Sequence, residues 1–252
     1  MNNIGSIIRK FNRFELKYVL PLEAAHAFKQ ELARYLQPDN YGDGVGNYAI
    51  TNLYFDSPDY HFYWEKVNGI RFRRKLRIRH YETQQTLAPE DNVFVEIKQR
   101  VDRVTQKRRV RLPYRDALRL CNDRVIPGHH PQDWQVIEEI HAMSWQYNLQ
   151  PTSVVSYFRQ AYVGTDYDVG LRVTFDTNLR YRAHSLQLDA KQPGKFMAPP
   201  DLVVMEIKVN ERIPYWLTEL VARHNFRLAR ISKYCLSVEA SDRVPPARFH
   251  IV

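Results

Sequence analysis

Three short units in this chain place a carboxylate and an amine two residues apart with an apolar residue between them: Glu15-Leu16-Lys17, Glu96-Ile97-Lys98 and Glu206-Ile207-Lys208. In an extended strand, side chains alternate between two faces, so each Glu shares a face with its Lys while the apolar residue points the other way. The same alternation runs through other segments. Leu76 and Ile78 oppose Lys75, Arg77 and Arg79; Lys107, Arg109 and Arg111 share one side; Leu171, Val173 and Phe175 oppose Arg172, Thr174 and Asp176. Tyr157 falls on the same face as Arg159. A face that is merely solvated mixes Lys with Glu, Thr, Ser and Gln, whereas Arg and Lys dominate these. Cations meeting in one space bind phosphate oxygens. A unit pair at about 4 Å attracts by roughly 4 kcal/mol at an effective dielectric near 20, and arginine adds bidentate geometry. Carboxylates repel phosphate, so acids inside such a lining suggest a bridging Mg²⁺ or Mn²⁺, which takes hard oxygen ligands.

The elements that must carry these residues are mostly strands. Strand-like runs occur near Arg13–Leu20 and at 48–56, 71–81, 93–101, 104–112, 152–163, 169–180 and 202–210, eight in all, bounded by turn residues or short helical stretches. Pro21 opens an amphipathic helix whose apolar residues Leu22, Ala25, Phe28, Leu32 and Leu36 recur at helical spacing. Further helical patterns fill 114–121, 133–148 and 214–224, and 183–201 reads as a polar, proline-containing loop. No linker divides the chain, so a single domain over 1–252 is expected. The class is α+β, and closing the eight strands into an antiparallel β-barrel with flanking helices would turn the charged faces inward. So many interior charges need water and a ligand's counter-charge.

Composition agrees with an anionic partner. Among 252 residues there are 37 Lys plus Arg against 28 Asp plus Glu, a formal charge of +9, which favours nucleic acid, anionic lipid or phosphate compounds. No run approaches the roughly 18 apolar residues of a membrane helix, and the stretch from Met1 to Phe14 has no signal-peptide core. Cys121 and Cys235 are too few for a disulfide framework, which points to a reducing, cytoplasmic setting. Gly42, Gly44 and Gly46 form a loop without the Lys-Ser/Thr of a phosphate loop. Glu138 and His141 have helical metal-pair spacing but no second pair, and read as a solvated helix face.

In order along the chain, Arg13-Phe-Glu-Leu-Lys-Tyr18, Lys75-Leu-Arg-Ile-Arg79, Phe94-Val-Glu-Ile-Lys98, the Lys107 strand, Ser156-Tyr-Phe-Arg159, Leu171-Arg172 through Asp176-Thr177, Met205-Glu-Ile-Lys208 and Ile231-Ser-Lys-Tyr234 resemble the VTC domain, the polyphosphate polymerase module of the triphosphate tunnel metalloenzyme superfamily. The resemblance implies a closed eight-stranded tunnel in which cations hold a nucleoside triphosphate or polyphosphate and a metal assists phosphoryl transfer from ATP. It assigns phosphate contacts to Lys17, Arg77, Arg79, Lys98, Lys107, Tyr157, Arg159, Arg172, Ser232 and Lys233, and the metal to Glu206. The resemblance further implies that Arg77, Arg79, Lys98, Arg159, Arg172 and Glu206 carry the transfer chemistry. Triphosphatase and CYTH members begin Glu-x-Glu-x-Lys, where this chain has Arg13-Phe-Glu15-Leu-Lys17; the substitution leans towards holding a long anion and away from a carboxylate-rich hydrolytic site. Hydrolysis of tripolyphosphate or nucleoside triphosphate is the alternative activity within the same resemblance. A non-enzymatic module for polyphosphate or nucleic acid is a third, disfavoured because the cationic faces carry few aromatic residues for base stacking.

Overall fold

The computed structural model describes residues 14–81, 86–102, 104–165, 168–190, 192–210 and 212–243. Arg13 and the segment before it lie outside the described residues. The elements are β1 (Phe14–Pro21), α1 (Leu22–Leu32), β2 (Gln37–Pro38), β3 (Asn47–Asp56), α2 (His61–Val67), β4 (Phe72–Tyr81), β5 (Asn92–Val101), β6 (Val104–Pro113), α3 (Tyr114–Leu118), α4 (Trp134–Gln146), β7 (Gln150–Val163), β8 (Arg172–Arg182), β9 (Lys195–Phe196), β10 (Leu202–Val209), α5 (Tyr215–Arg223) and α6 (Lys233–Glu239). All pairings are antiparallel, in the order β1-β10-β8-β7-β3-β4-β5-β6. The two-residue strands β2 and β9 add to β7 and β8.

The eight expected strands are all present, but the sheet has ten strands and is not a closed barrel: β1 and β6 end the path without a hydrogen-bonded ladder between them. The edge itself supplies the reason. β6 presents Lys107, Arg108, Arg109 and Arg111 within five residues, and a charged edge strand resists pairing with another strand. Side chains bridge what the backbones do not, with Lys98 of β5 ion-paired to Glu15 of β1 at 2.6 Å.

The apolar faces point outward and the helices cover them. Ile137, Ile140 and Met143 of α4 pack on Leu76, Val95 and Ile97. On the opposite flank, Ala25, Phe28 and Leu32 of α1 and Leu217 and Leu220 of α5 pack on Val173, Met205 and Ile207. Fully burying each large side chain stabilises the fold by about 1.5–3 kcal/mol, which holds the sheet curled with its charged face inside. Pro21, Pro113 and Pro214 sit at the start of α1, α3 and α5 with extended backbones, where the missing N–H is not needed. Helix α1 ends at Leu32, short of the expected Leu36.

Two helices escape the sequence reading. α2 is too short to show a period, and α6 follows an irregular segment. Both pack into the end of the curled sheet: Tyr63 of α2 and Tyr234, Cys235 and Val238 of α6 join Ile50, Val155, Leu179 and Val204. A β-bulge makes this possible. The β7–β8 register shifts between Ser156 and Phe158, opposite Asn178, whose φ is 51°. Before it, Thr174 and Asp176 face inward; after it, Leu179 and Tyr181 do. A bulge re-aims side chains in this way, and here it switches the interior from charged to apolar where α6 lands. Cys121 and Cys235 are free and buried. No helix among the described residues is long and apolar enough to cross a membrane.

Candidate functional site: a cation-lined interior

Each strand of the curled sheet contributes alternate residues to one interior. Two ionic groups occupy it. In the first, Glu96 is completely buried and accepts from Arg77 Nε at 2.9 Å and Nη2 at 2.6 Å, and from Lys107 at 3.1 Å, with Arg79 at 3.9 Å. In the second, Glu206 meets Lys208 at 2.6 Å, Lys233 at 2.9 Å, Lys17 at 3.3 Å and Arg159 at 3.7 Å. Asp176 takes a bidentate pair from Arg159 at 2.6 and 2.7 Å and a further ion pair from Lys233 at 2.6 Å. Glu15 joins through Lys17 at 3.2 Å and Lys98 at 2.6 Å. Tyr157 stands between the groups: its hydroxyl accepts from Arg79 at 3.1 Å, and Arg159 and Lys233 lie over its ring at 5.4 and 4.9 Å.

These contacts enclose eight cations, Lys17, Arg77, Arg79, Lys98, Lys107, Arg159, Lys208 and Lys233, with only four carboxylates. The cations are ion-paired within the lining itself, where the sequence predicts water and a ligand's counter-charge, and the lining keeps a surplus of positive charge. Burial pushes the Glu206 carboxyl up, but Lys17, Lys208, Lys233 and Arg159 together hold it well below the usual carboxylate range. Glu96 follows the same pattern, burial being overcome by Arg77, Arg79 and Lys107. Burial pushes Lys208 down to about 7, a shift Glu206 only partly offsets. Lys98 is also lowered by burial, with Glu15 opposing.

Nine of the eleven residues assigned from sequence lie on this lining. The other two are placed differently. Ser232 caps α6, its Oγ accepting from the Cys235 N–H at 3.3 Å and from Lys75 Nζ at 2.6 Å, so it positions Lys75 and the start of the helix that carries Lys233. Arg172 begins β8, ion-paired to Asp39 at 2.6 Å and donating to the Tyr48 hydroxyl at 2.7 Å. The structure adds Asp176, Lys208 and Lys75 to the lining, and Tyr54 and Asn52, which orient Arg77 and Arg79 at 3.1 and 2.8 Å. Strand parity already put Asp176 and Lys208 on the charged faces. Tyr54 and Asn52 gave no signal, because β3 is buried on both faces and its sequence does not alternate.

Among the described residues no group of three or more His, Cys, Asp or Glu is arranged to hold a metal. The donor chemistry still suits a hard divalent ion. Carboxylate oxygens of Glu206 and Asp176, from different strands, both contact Lys233 Nζ, at 2.9 and 2.6 Å, so they converge on a point that already accommodates a small cation.

No curated protein matches the chain in sequence. Many solved structures share its architecture, and two illustrate the likeness. A candidate adenylate cyclase from Bacillus halodurans superposes with a TM-score of 0.50 at 14% identity, covering 88% of this chain and 95% of that one. The Hippeastrum protein HpAC1, a candidate adenylyl cyclase described as having a dominant triphosphatase activity, gives a TM-score of 0.52 at 14% identity, covering 94% and 100%. At such identity the likeness is one of fold: an antiparallel sheet with flanking helices similar to triphosphate tunnel structures. A family model supplies the rest. It matches residues 12–241, nearly the whole described chain including every strand of the lining, and the protein accordingly belongs to the VTC domain family.

Proposed function

We propose that this protein transfers phosphoryl groups from ATP to a growing inorganic polyphosphate chain. The reading rests chiefly on the enclosed surplus of cations, eight against four carboxylates, which suits a long anion with a charge on every unit. Arg77, Arg79, Lys98, Lys107, Arg159 and Lys233 line the path of the phosphates, Lys17 lies beside Glu206, and Arg172 adds a cation at the start of β8. Tyr157, whose hydroxyl oxygen accepts from Arg79 at 3.1 Å, keeps its O–H as a hydrogen-bond donor for a phosphate oxygen. Glu206 with Asp176 would hold Mn²⁺ or Mg²⁺, which, once bound, neutralises charge developing on the transferred group. An attacking phosphate terminus is already anionic at neutral pH, so positioning and charge stabilisation suffice and no protein nucleophile is needed. The free, buried cysteines support a reducing, cytoplasmic setting.

Incubation of the purified protein with ATP and Mn²⁺ should yield ADP and polyphosphate, and Glu206→Gln should abolish that turnover while tripolyphosphate binding persists. Absence of both products from the unmodified protein rejects the assignment. One observation favours a second reading: the lining holds four acids where a single metal ligand was expected, which moves it towards a hydrolytic site. Orthophosphate released from tripolyphosphate without chain growth would establish that activity instead. Competition between an oligonucleotide and tripolyphosphate tests a non-enzymatic nucleic-acid module, and tripolyphosphate should win.

A further inference from the structure

The rows of lining cations end differently at the two ends of the interior. On β4 the inward row runs Arg73, Lys75, Arg77, Arg79 and then Tyr81; on β5 it runs Arg100, Lys98, Glu96 and then Phe94. At one end the rows finish in Arg73 and Arg100, which face each other in register. At the other they finish in rings. Tyr48 of β3 and Tyr41 of the loop before it complete a cluster there, with centroids 5.1 Å apart for Tyr41–Tyr48, 5.0 Å for Tyr41–Tyr81, 5.8 Å for Tyr48–Tyr81 and 5.8 Å for Tyr81–Phe94.

Three of these rings touch cations that belong to the site. Arg79 lies over Tyr81 at 5.7 Å, Arg109 over Phe94 at 4.5 Å, and Arg172 donates to the Tyr48 hydroxyl at 2.7 Å. Tyr41 is the outermost, 48% exposed. Its loop is built to hold it there. Asp39 accepts from the Tyr41 N–H at 3.2 Å, and Asp43 accepts from the Val45 and Asn47 N–H groups, each at 2.9 Å. Gly42, at φ +84°, lies so close to the Asn47 carbonyl that an added Cβ would stand 2.3 Å from it, so the chain doubles back only with glycine at that place.

The face of an aromatic ring carries negative quadrupole density and repels a phosphate anion, which meets such a side chain only through a hydroxyl donor like that of Tyr157. A flat nucleobase stacks on aromatic side chains and on arginine whatever its identity. We propose that Tyr41, Tyr48, Tyr81 and Phe94, edged by Arg109 and Arg172, form the subsite for the base of a nucleoside triphosphate whose phosphates lie among Arg79, Arg159 and their neighbours. The inference rests on the phosphate-binding reading above and adds an orientation to it: the base lies at the aromatic end, and the phosphates run inward past Arg79 towards the groups around Glu96 and Glu206.

The test compares a ligand that bears a nucleoside, a non-hydrolysable ATP analogue, with one that does not, inorganic tripolyphosphate, by calorimetry on the full chain. Tyr41→Ala should weaken the ATP analogue by about tenfold and leave tripolyphosphate within about twofold, and Tyr41→Phe should leave both unchanged. Tyr41 is exposed on a loop, and retained tripolyphosphate affinity reports that the variant is folded. Equal weakening of both ligands, or undiminished affinity for the ATP analogue, overturns the base subsite alone. If the unmodified protein binds neither ligand, the phosphate reading falls and takes this inference with it.

Discussion

At the scale of single residues, what distinguishes this interior is that its charges hold one another while leaving cations over. Glu96 is the clearest case: completely buried, it is tolerable only because Arg77 and Lys107 contact it directly. Removing one partner of a buried pair typically costs about 3–5 kcal/mol, since the other charge is left uncompensated. Arg77→Ala should therefore destabilise the fold by about 3 kcal/mol in denaturant unfolding, whereas Arg109→Ala, which loses only a contact with the Phe94 ring, should change stability by about 0.5 kcal/mol or less. Adding Glu96→Gln to Arg77→Ala should recover part of the loss. The pH dependence follows from the same pairs. Glu15, Glu96 and Glu206 all have carboxyls held well below their ordinary value of 4.5 in the folded protein. A depressed acid binds fewer protons folded than unfolded, so its stabilisation is present at neutral pH and fades as pH falls below the ordinary carboxylate range. Denaturant midpoints should drop steeply below about pH 4.5, and less steeply in Glu96→Gln.

At the scale of elements, α2 and α6 do more for the site than their seven residues each suggest. Asp56, at the end of β3, is buried and accepts from the N–H groups of Ser57 at 2.8 Å, Phe62 at 2.8 Å and Tyr63 at 3.0 Å, and from the Tyr234 hydroxyl. One carboxylate thus ties the start of α2 to α6, the helix whose first residue is Lys233. Burial raises the Asp56 carboxyl despite these donors. Asp56→Ala strands several buried donors and should cost about 3 kcal/mol. Because Lys233 bridges Asp176 and Glu206, the same change should also weaken tripolyphosphate binding, although Asp56 touches none of the lining cations. Calorimetry on the folded variant checks this, and unchanged affinity would mean that α6 stays in place without its anchor.

At the scale of the whole molecule, the four inward-facing cations along β4 span about 20 Å of strand, longer than three phosphates reach. Arg73 and Arg100, directly opposite each other, are like charges whose juxtaposition is unfavourable, and burial together with Arg100 lowers the Arg73 pKa. Lys66 lies in the same field, pushed down to about 8 by burial and by Arg73 and Lys75. An anion reaching that end relieves the repulsion. Arg73→Ala combined with Arg100→Ala should weaken long-chain polyphosphate by about tenfold or more, a loss of about 1.4 kcal/mol, and leave tripolyphosphate within about threefold. Long-chain affinity should also fall as pH rises through 8, where Lys66 loses its proton, and Lys66→Arg should remove that step.

Strand parity alone determined which residues share a charged face, from Glu15 and Lys17 to Glu206 and Lys208, because a period of two is local and holds wherever a strand runs without a bulge. It also indicated that the opposite faces need helical cover, which α1, α4 and α5 provide. What the alternation left open was decided in three dimensions. The sheet stays unladdered between β1 and β6 because the last strand is a cationic edge, and no residue of β1 foretells its partner. The bulge at Asn178 reverses the parity of β8 part-way along, so that Leu179 replaces the charged row and admits α6. Which cation neutralises which acid, and so which positive charge is left over for a phosphate chain, depends on distances between strands far apart in sequence. Those distances are set by how tightly the outer helices curl the sheet.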